Sequence, residues 1–315
     1  MRVLVFGTGA VGGYFGACLA RGGHDVTFVA RGTTLAALRE RGLVVELPQE
    51  RWHLTDLRAV DTPAAGPRPD LVLVCVKSYD TAAAATALRG IVWSKAILLS
   101  LQNGVENEEI LAQALGLPPP MVAFTRIGVA MTTPAVIVYS GRGEIVFGEP
   151  DGTRSPRAER LVAALAAAGV PHQLRSDVLV GAWEKLAWNA GFNAVTTLTG
   201  TTVAEVLAHP DTRDLVVGAM EEVDAVATAL GIPVRRTRTP AVLDDSVRGL
   251  PDFETSMLQD YRRGRRLEHD AITGAVVRAA TRTGIAVPIN RMLLALLDAI
   301  DPGRRDAYKR AGVTR

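Results

Sequence analysis

The sequence predicts an α/β fold: a doubly wound, mostly parallel sheet in the first half and an all-helical domain after it. Three observations carry this. Gly7, Gly9 and Gly12 directly follow a short apolar run, MRVLVF, at residues 1–6. Two further apolar runs, LVLVCV at 71–76 and AILLSL at 96–101, alternate with helical patterns, as parallel strands buried on both faces do. From about residue 177 the strand-like runs stop and long helical patterns take over. The expected domains are therefore residues 1–176 and 177–315.

The first element is the strand at 1–6. A helical pattern at 13–21 and a second β-rich run, DVTFVA at 25–30, complete a βαβ unit of about 30 residues around the glycines. The first glycine allows the tight turn, the second lets backbone N–H groups approach a pyrophosphate, and the third lets helix and strand pack closely. The helix N-terminus adds partial positive charge. A Gly-rich turn of another kind would not need this context. The first domain thus reads as a Rossmann-type dinucleotide-binding domain, with Gly7, Thr8, Gly9, Ala10, Val11 and Gly12 as its cofactor loop. At the end of the second strand stand Ala30 and Arg31, then Thr33 and Thr34, where an NAD site usually carries Asp or Glu. A missing carboxylate plus an arginine suits the 2′-phosphate of NADP; the competing reading of Arg31 is a solvated loop residue.

Residues 43–54 read as two strands joined by a turn at Pro48 and Gln49. Helical patterns follow at 81–88 and 106–115. Strands are expected at 121–130, 136–139 and 144–147, with Gly141 and Gly143 turning the last pair. A loop at 151–157 leads into an Ala-rich helix at 158–168. The second half gives helices at 177–192, 211–230, 266–284 and 289–300, with breaks at 231–233, at 249–251 and before Pro288.

Composition narrows the function classes. The chain has 315 residues and a net charge of +2, which argues against a large nucleic-acid surface. The basic run 262–266 has Asp260 and Glu268 beside it, so a solvated helix face or a cofactor-phosphate contact is the better reading. The two cysteines, Cys18 and Cys75, read as small buried hydrophobes in a reducing compartment. The five histidines show no metal-ligand spacing. No apolar run approaches the roughly 18 residues of a membrane helix, and the chain opens on strand and glycine loop rather than a signal peptide. A cytoplasmic protein without metal is expected.

Lys185, Asn189 and Asn193 are spaced i, i+4, i+8 and share one helical face. Their neighbours are apolar, so one amine and two amides need partners there. A solvent-facing stripe is the plainer reading, but such stripes favour Lys and Glu over Asn. Ser256, Asp260 and Glu268 form a second polar set. On one straight helix Ser256 and Glu268 would lie roughly 18 Å apart, so a shared ligand requires a break. Gly264 predicts it: a short helix, an interruption near 262–265, and a new helix through 284. Asp260 reads as a plain helix-face carboxylate.

At these residues the chain resembles the ketopantoate reductase (2-dehydropantoate 2-reductase) family, nearly end to end. The resemblance is carried by GTGAVG at 7–12, VKS at 76–78, QNG at 102–104, WEKLAWNAGFN at 183–193, SMLQD at 256–260 and RRLEHDAITGAVV with GIAVPIN over 265–290. It implies NADPH-dependent reduction of 2-dehydropantoate to pantoate, a step of pantothenate and coenzyme A synthesis. It further implies that Lys185 is the catalytic lysine and proton donor and Glu268 the active-site glutamate. Lys77 and Asn103 would contact cofactor and substrate near the nicotinamide, with Glu268 also near the cofactor. Asn189, Asn193 and Ser256 would bind substrate, Ser256 through its carboxylate.

Chemically, an ammonium beside a carbonyl oxygen that gains negative charge stabilises it and donates a proton. One departure bears on the substrate. Some family members carry an asparagine where this chain has Phe253, and an aromatic ring there favours a less polar 2-oxo acid. A paralogue that reduces another branched 2-oxo acid is therefore the nearest alternative. A non-catalytic NADP sensor would keep the loop and Arg31 but need neither Lys185 nor Glu268. Monomer and homodimer are both compatible with the sequence.

Overall fold

The computed structural model describes residues 1–93, 95–234, 243, 248 and 252–304. The break expected at 249–251 lies outside them. The chain forms two compact units, Met1–Gln102 with Glu106–Val178, and Asn103–Val105 with Leu179–Arg315.

The first unit is built on five parallel strands in the order β5-β2-β1-β6-β7. They are β1 (Arg2–Phe6), β2 (Asp25–Val29), β5 (Arg58–Val60), β6 (Leu71–Val74) and β7 (Ile97–Ser100). Period-2 alternation sends Val3 and Val5 into one core and Leu4 and Phe6 into another, so both faces of the sheet are covered. Helix α1 (Ala10–Arg21) packs on the first face, and α3 (Thr81–Leu88) and α4 (Asn107–Leu115) supply Ala84, Ala85, Leu88 and Leu111 to the second. The strand order reverses between β1 and β6. Ligands of open α/β sheets bind outside the carboxyl ends at such a point.

Among the elements of this unit that escape the sequence pattern are α2 (Gly32–Arg41), which follows β2, and the three-residue β5. A second, mixed sheet completes the unit. β3 (Leu43–Glu46) pairs antiparallel with β4 (Arg51–Leu54), as read from the sequence, and parallel with β9 (Val136–Gly148). β8 (Val122–Thr133) and β10 (His172–Leu174) flank β9. The expectation that Gly141 and Gly143 turn the chain is wrong. β9 runs through both, and the hairpin closes at Pro134 and Ala135, where Ala135 has φ +63°.

The loop before α5 (Pro156–Ala167) is fixed by a buried carboxylate. Glu149 accepts from Ser155 Oγ at 2.5 Å and from Arg157 Nε at 2.7 Å and Nη2 at 2.5 Å. Ser155 in turn caps the helix by accepting from Ala158 N. The guanidinium holds the Glu149 carboxyl below the usual carboxylate range. Arg157→Ala strands that charge. Because the Arg157 side chain is 35% exposed, the expected loss in urea unfolding is roughly 2–3 kcal/mol, below the figure for a fully buried pair. A depressed folded pKa stabilises above the unfolded value of about 4.3. The wild-type advantage over Arg157→Ala should therefore hold at neutral pH and fade as pH falls through the folded pKa of Glu149.

The second unit is helical, with α6 (Val178–Thr199), α7 (Val203–Ala208), α8 (Pro210–Ala229), α9 (Ser256–Arg262), α10 (Ala275–Thr283) and α11 (Pro288–Ile300). α7 opens on a full capping box, Thr202 with Glu205. Glu222 of α8 caps α11, accepting from the N–H groups of Ile289 at 2.8 Å and Asn290 at 2.9 Å. The interruption expected near 262–265 is present: α9 ends at Arg262 and Gly264 has φ +65°. The next helix begins with a π-helical turn, Asp270–Gly274, that the periodicity does not reveal. Asp260 departs from expectation. It is buried, with an oxygen 3.7 Å from Arg265.

Candidate active site

The glycine loop leaves β1 at Gly7, whose φ of +104° favours glycine. Amides of Gly7 and Thr8 donate to Val29 O at 3.2 and 3.1 Å, and Thr8 Oγ1 donates to the same carbonyl at 3.0 Å. The Thr8 side chain thus faces inward and pins the loop to β2; only its backbone is left for a ligand. A Cβ on Gly12 would lie 2.2 Å from Gly7 O, whereas a Cβ on Gly9 would meet nothing within 4 Å. Gly12 is required by the protein's own packing. Gly9 faces open space at the N-cap of α1, which has no side-chain cap and no acid in its first turn. The first N–H groups of that helix, around Ala10, Val11 and Gly12, lack intrahelical acceptors. Cys75 lies beneath the loop, and burial pushes its thiol up to about 12, so it stays neutral and adds no anion. These features fit a dinucleotide diphosphate.

Arg31 is exposed at the N-cap of α2, which also lacks a side-chain cap. The residue before it is Ala30, so no carboxylate ends β2. Lys77 follows β6 at the start of a 3₁₀ turn, Ser78–Asp80. A buried polar network, which the sequence reading missed, fixes this corner. Gln102 Nε2 donates to Val76 O at 3.0 Å and to Thr81 Oγ1 at 2.8 Å, and Thr81 Oγ1 lies 2.9 Å from Asn107 Oδ1. It ties the carboxyl ends of β6 and β7 together. Gln102 opens the QNG motif; nothing local in the sequence marks Thr81 or Asn107.

The second unit gathers the other set. Lys185, Asn189 and Asn193 occupy successive turns of α6, and both asparagines are buried rather than solvent-facing. Lys185 Nζ donates to Asn103 Oδ1 at 3.1 Å, and Asn103 Nδ2 donates to Glu268 Oε2 at 3.4 Å. One amide therefore links an ammonium to a buried carboxylate, with its oxygen toward the cation and its nitrogen toward the anion. Gly104 makes the approach possible: its φ is +104° and a Cβ would sit 2.5 Å from Ala271 O in the π turn. Asn193 Nδ2 is buried and donates to no acceptor among the described residues. Ser256 is exposed at the first position of α9. Thr255 beside it bonds Thr196 of α6 at 2.8 Å, which keeps Ser256 near the helix that carries Lys185. Among the described residues no group of three or more His, Cys, Asp or Glu could hold a metal, and no helix is long and apolar enough to cross a membrane.

The family model described as ketopantoate reductase PanE/ApbA matches residues 3–152, and its C-terminal counterpart matches 177–301. The 2-dehydropantoate 2-reductase of Halobacterium salinarum is 34% identical, over 94% of this chain and 98% of its own. The chain belongs to the ketopantoate reductase family. Its relatives in that family include the 2-dehydropantoate 2-reductase of Archaeoglobus fulgidus, 32% identical over 96% of this chain and 98% of its own. A crystal structure of a PanE/ApbA family ketopantoate reductase from Ralstonia eutropha superimposes with a TM-score of 0.88 at 34% identity, covering 97% of this chain and all of that one. The fold is that of ketopantoate reductases, a parallel-sheet Rossmann-like domain with a helical C-terminal domain, and the chain is an oxidoreductase of a dinucleotide-dependent family.

Proposed function

We propose that this protein reduces 2-dehydropantoate to pantoate with NADPH, in the cytoplasm, as a step of pantothenate synthesis. The observation that carries the reading is the Lys185–Asn103–Glu268 row, in a chain whose relatives are named for this reaction. Bound at the glycine loop, the reduced nicotinamide supplies the hydride for the C2 carbonyl. The residues do the rest. Lys185 holds a proton on Nζ and passes it to the C2 oxygen as negative charge grows there. Asn103 fixes the direction of that ammonium, and Glu268 fixes Asn103. The amides of Asn189 and Asn193 and the hydroxyl of Ser256 suit a substrate carrying a carboxylate and a hydroxyl. Lys77, just after β6, contacts the cofactor.

Arg31 and the uncapped start of α2 support NADPH over NADH, since a guanidinium and free N–H groups both favour a 2′-phosphate. One observation favours a second substrate reading. The ring of Phe253 packs on Trp188 with centroids 6.2 Å apart, an apolar pair one residue from Asn189 that suits a less polar branched 2-oxo acid. The deciding experiment measures initial rates with NADPH and NADH, on 2-dehydropantoate and on 2-oxo acids lacking its hydroxyl, for wild type and Arg31→Ala. The expected result is a clear preference for 2-dehydropantoate and NADPH, with the cofactor preference reduced at least about tenfold by Arg31→Ala, a loss of roughly 1.4 kcal/mol. Turnover of the apolar acids alone would select the paralogue. Tight NADPH binding without turnover of any would select a sensor.

A further inference from the structure

The proposed role of Glu268 raises the question of what holds its carboxylate in place, since the segment 263–268 between α9 and the π turn has no helical hydrogen-bond ladder of its own. Both sequence neighbours of Glu268 are fastened to the same place, the C-terminal end of α11. On one side, Leu267 N donates to Asp301 Oδ1 at 3.0 Å. Asp301 is buried at the C-cap of α11, and the same oxygen accepts from Gly303 N at 3.1 Å. On the other side, the buried ring of His269 donates through Nε2 to Asp298 Oδ1 at 2.6 Å. Asp298 is held from outside by Arg304, at 3.0 Å to its other oxygen. Beyond His269, Arg278 closes the π turn onto Asp270, through Oδ1 and the carbonyl oxygen, both at 2.8 Å.

We infer that His269 is a positioning residue for Glu268, acting with Asp298 and Asp301 as a bracket that fixes the carboxylate opposite Asn103. This rests on the proposed role of Glu268. Its physical basis is lever length. A carboxylate follows the backbone that carries it, and a displacement of about 1 Å at a reacting group costs up to about a hundredfold in rate. Fastening residues 267 and 269 removes that freedom from the backbone on both sides of 268. His269 is suited to the task because its ring reaches the α11 carboxylate from a buried backbone while carrying no obligatory charge.

The test compares His269→Leu, His269→Gln and Asp298→Asn in the full chain, with Glu268→Gln measured alongside. Glutamine keeps an N–H near the reach of Nε2; leucine does not. His269→Leu is expected to lower kcat at least tenfold, with KM for NADPH within twofold of wild type. His269→Gln and Asp298→Asn, which keep a hydrogen bond, should recover to within threefold. Thermal midpoints are recorded for each, and Asp298→Asn, which alters only the partly exposed partner, serves if His269→Leu does not fold. A kcat for His269→Leu close to wild type, or an equal loss in leucine and glutamine variants of equal stability, would overturn the bracket. So would a loss in Asp298→Asn as large as in Glu268→Gln. If Glu268→Gln itself keeps wild-type turnover, the role assigned to Glu268 fails instead.

Discussion

Lys185→Ala should lower kcat about a thousandfold, within the range expected for losing a positioned proton donor together with charge stabilisation at the developing oxyanion. The dissociation constant for NADPH, read by fluorescence titration, should stay within about twofold, because the glycine loop and Arg31 belong to the other compact unit. The fold should tolerate the change. Lys185 is only partly buried, and Asn103, which accepts from its ammonium, is an uncharged amide. Single-turnover rates would separate chemistry from release. A variant that retained most of its turnover would move the proton to another donor and remove the main support for the proposed mechanism.

The second large effect is a contrast between two glycines three residues apart. Gly12→Ala places a methyl 2.2 Å from Gly7 O and 2.9 Å from the Cys75 side chain. The backbone must shift, and a loss of roughly 3 kcal/mol in stability is expected, at the upper end for overpacking. Gly9→Ala adds a methyl that meets no protein atom within 4 Å, at a φ of −83° that any residue adopts. Stability should hold to within about 1 kcal/mol, yet NADPH binding should weaken at least about tenfold, because the methyl stands where phosphate oxygens must approach backbone N–H groups. Thermal melts and cofactor titrations of both variants check this. Equal affinity in a stable Gly9→Ala variant and in wild type would place the diphosphate elsewhere.

How much of this was legible in the sequence depends on how local each cause is. The βαβ unit was readable because strand, glycines and helix follow one another within 30 residues. The polar face of α6 was readable from a fixed helical spacing. The helix α2 was not, because its first turn is Gly-Thr-Thr and only Leu35, Ala37 and Leu38 are buried. Gly143 misled because its role is tertiary: a Cβ there would sit 2.8 Å from Tyr14 Oη. It admits an aromatic ring instead of turning the chain, while the real turn falls on Ala135, a residue type that seldom takes positive φ. The Asn103 bridge and the fastening of Glu268 to α11 join residues far apart in the chain, and no pattern along one segment announces them.

The three residues Asn103–Val105 group with the helical unit, although the chain on both sides of them belongs to the other. The polypeptide therefore passes between units three times, at 102–103, 105–106 and 178–179. Modularity is lost as a result. A fragment starting at Leu179 would carry Lys185 and Glu268 but not the amide that orients them, and a chimera joined at 178 would inherit that amide from a foreign parent. Any recombination between relatives that respects this chemistry must exchange the 103–105 tripeptide together with the helices, as one heritable block split in two along the gene.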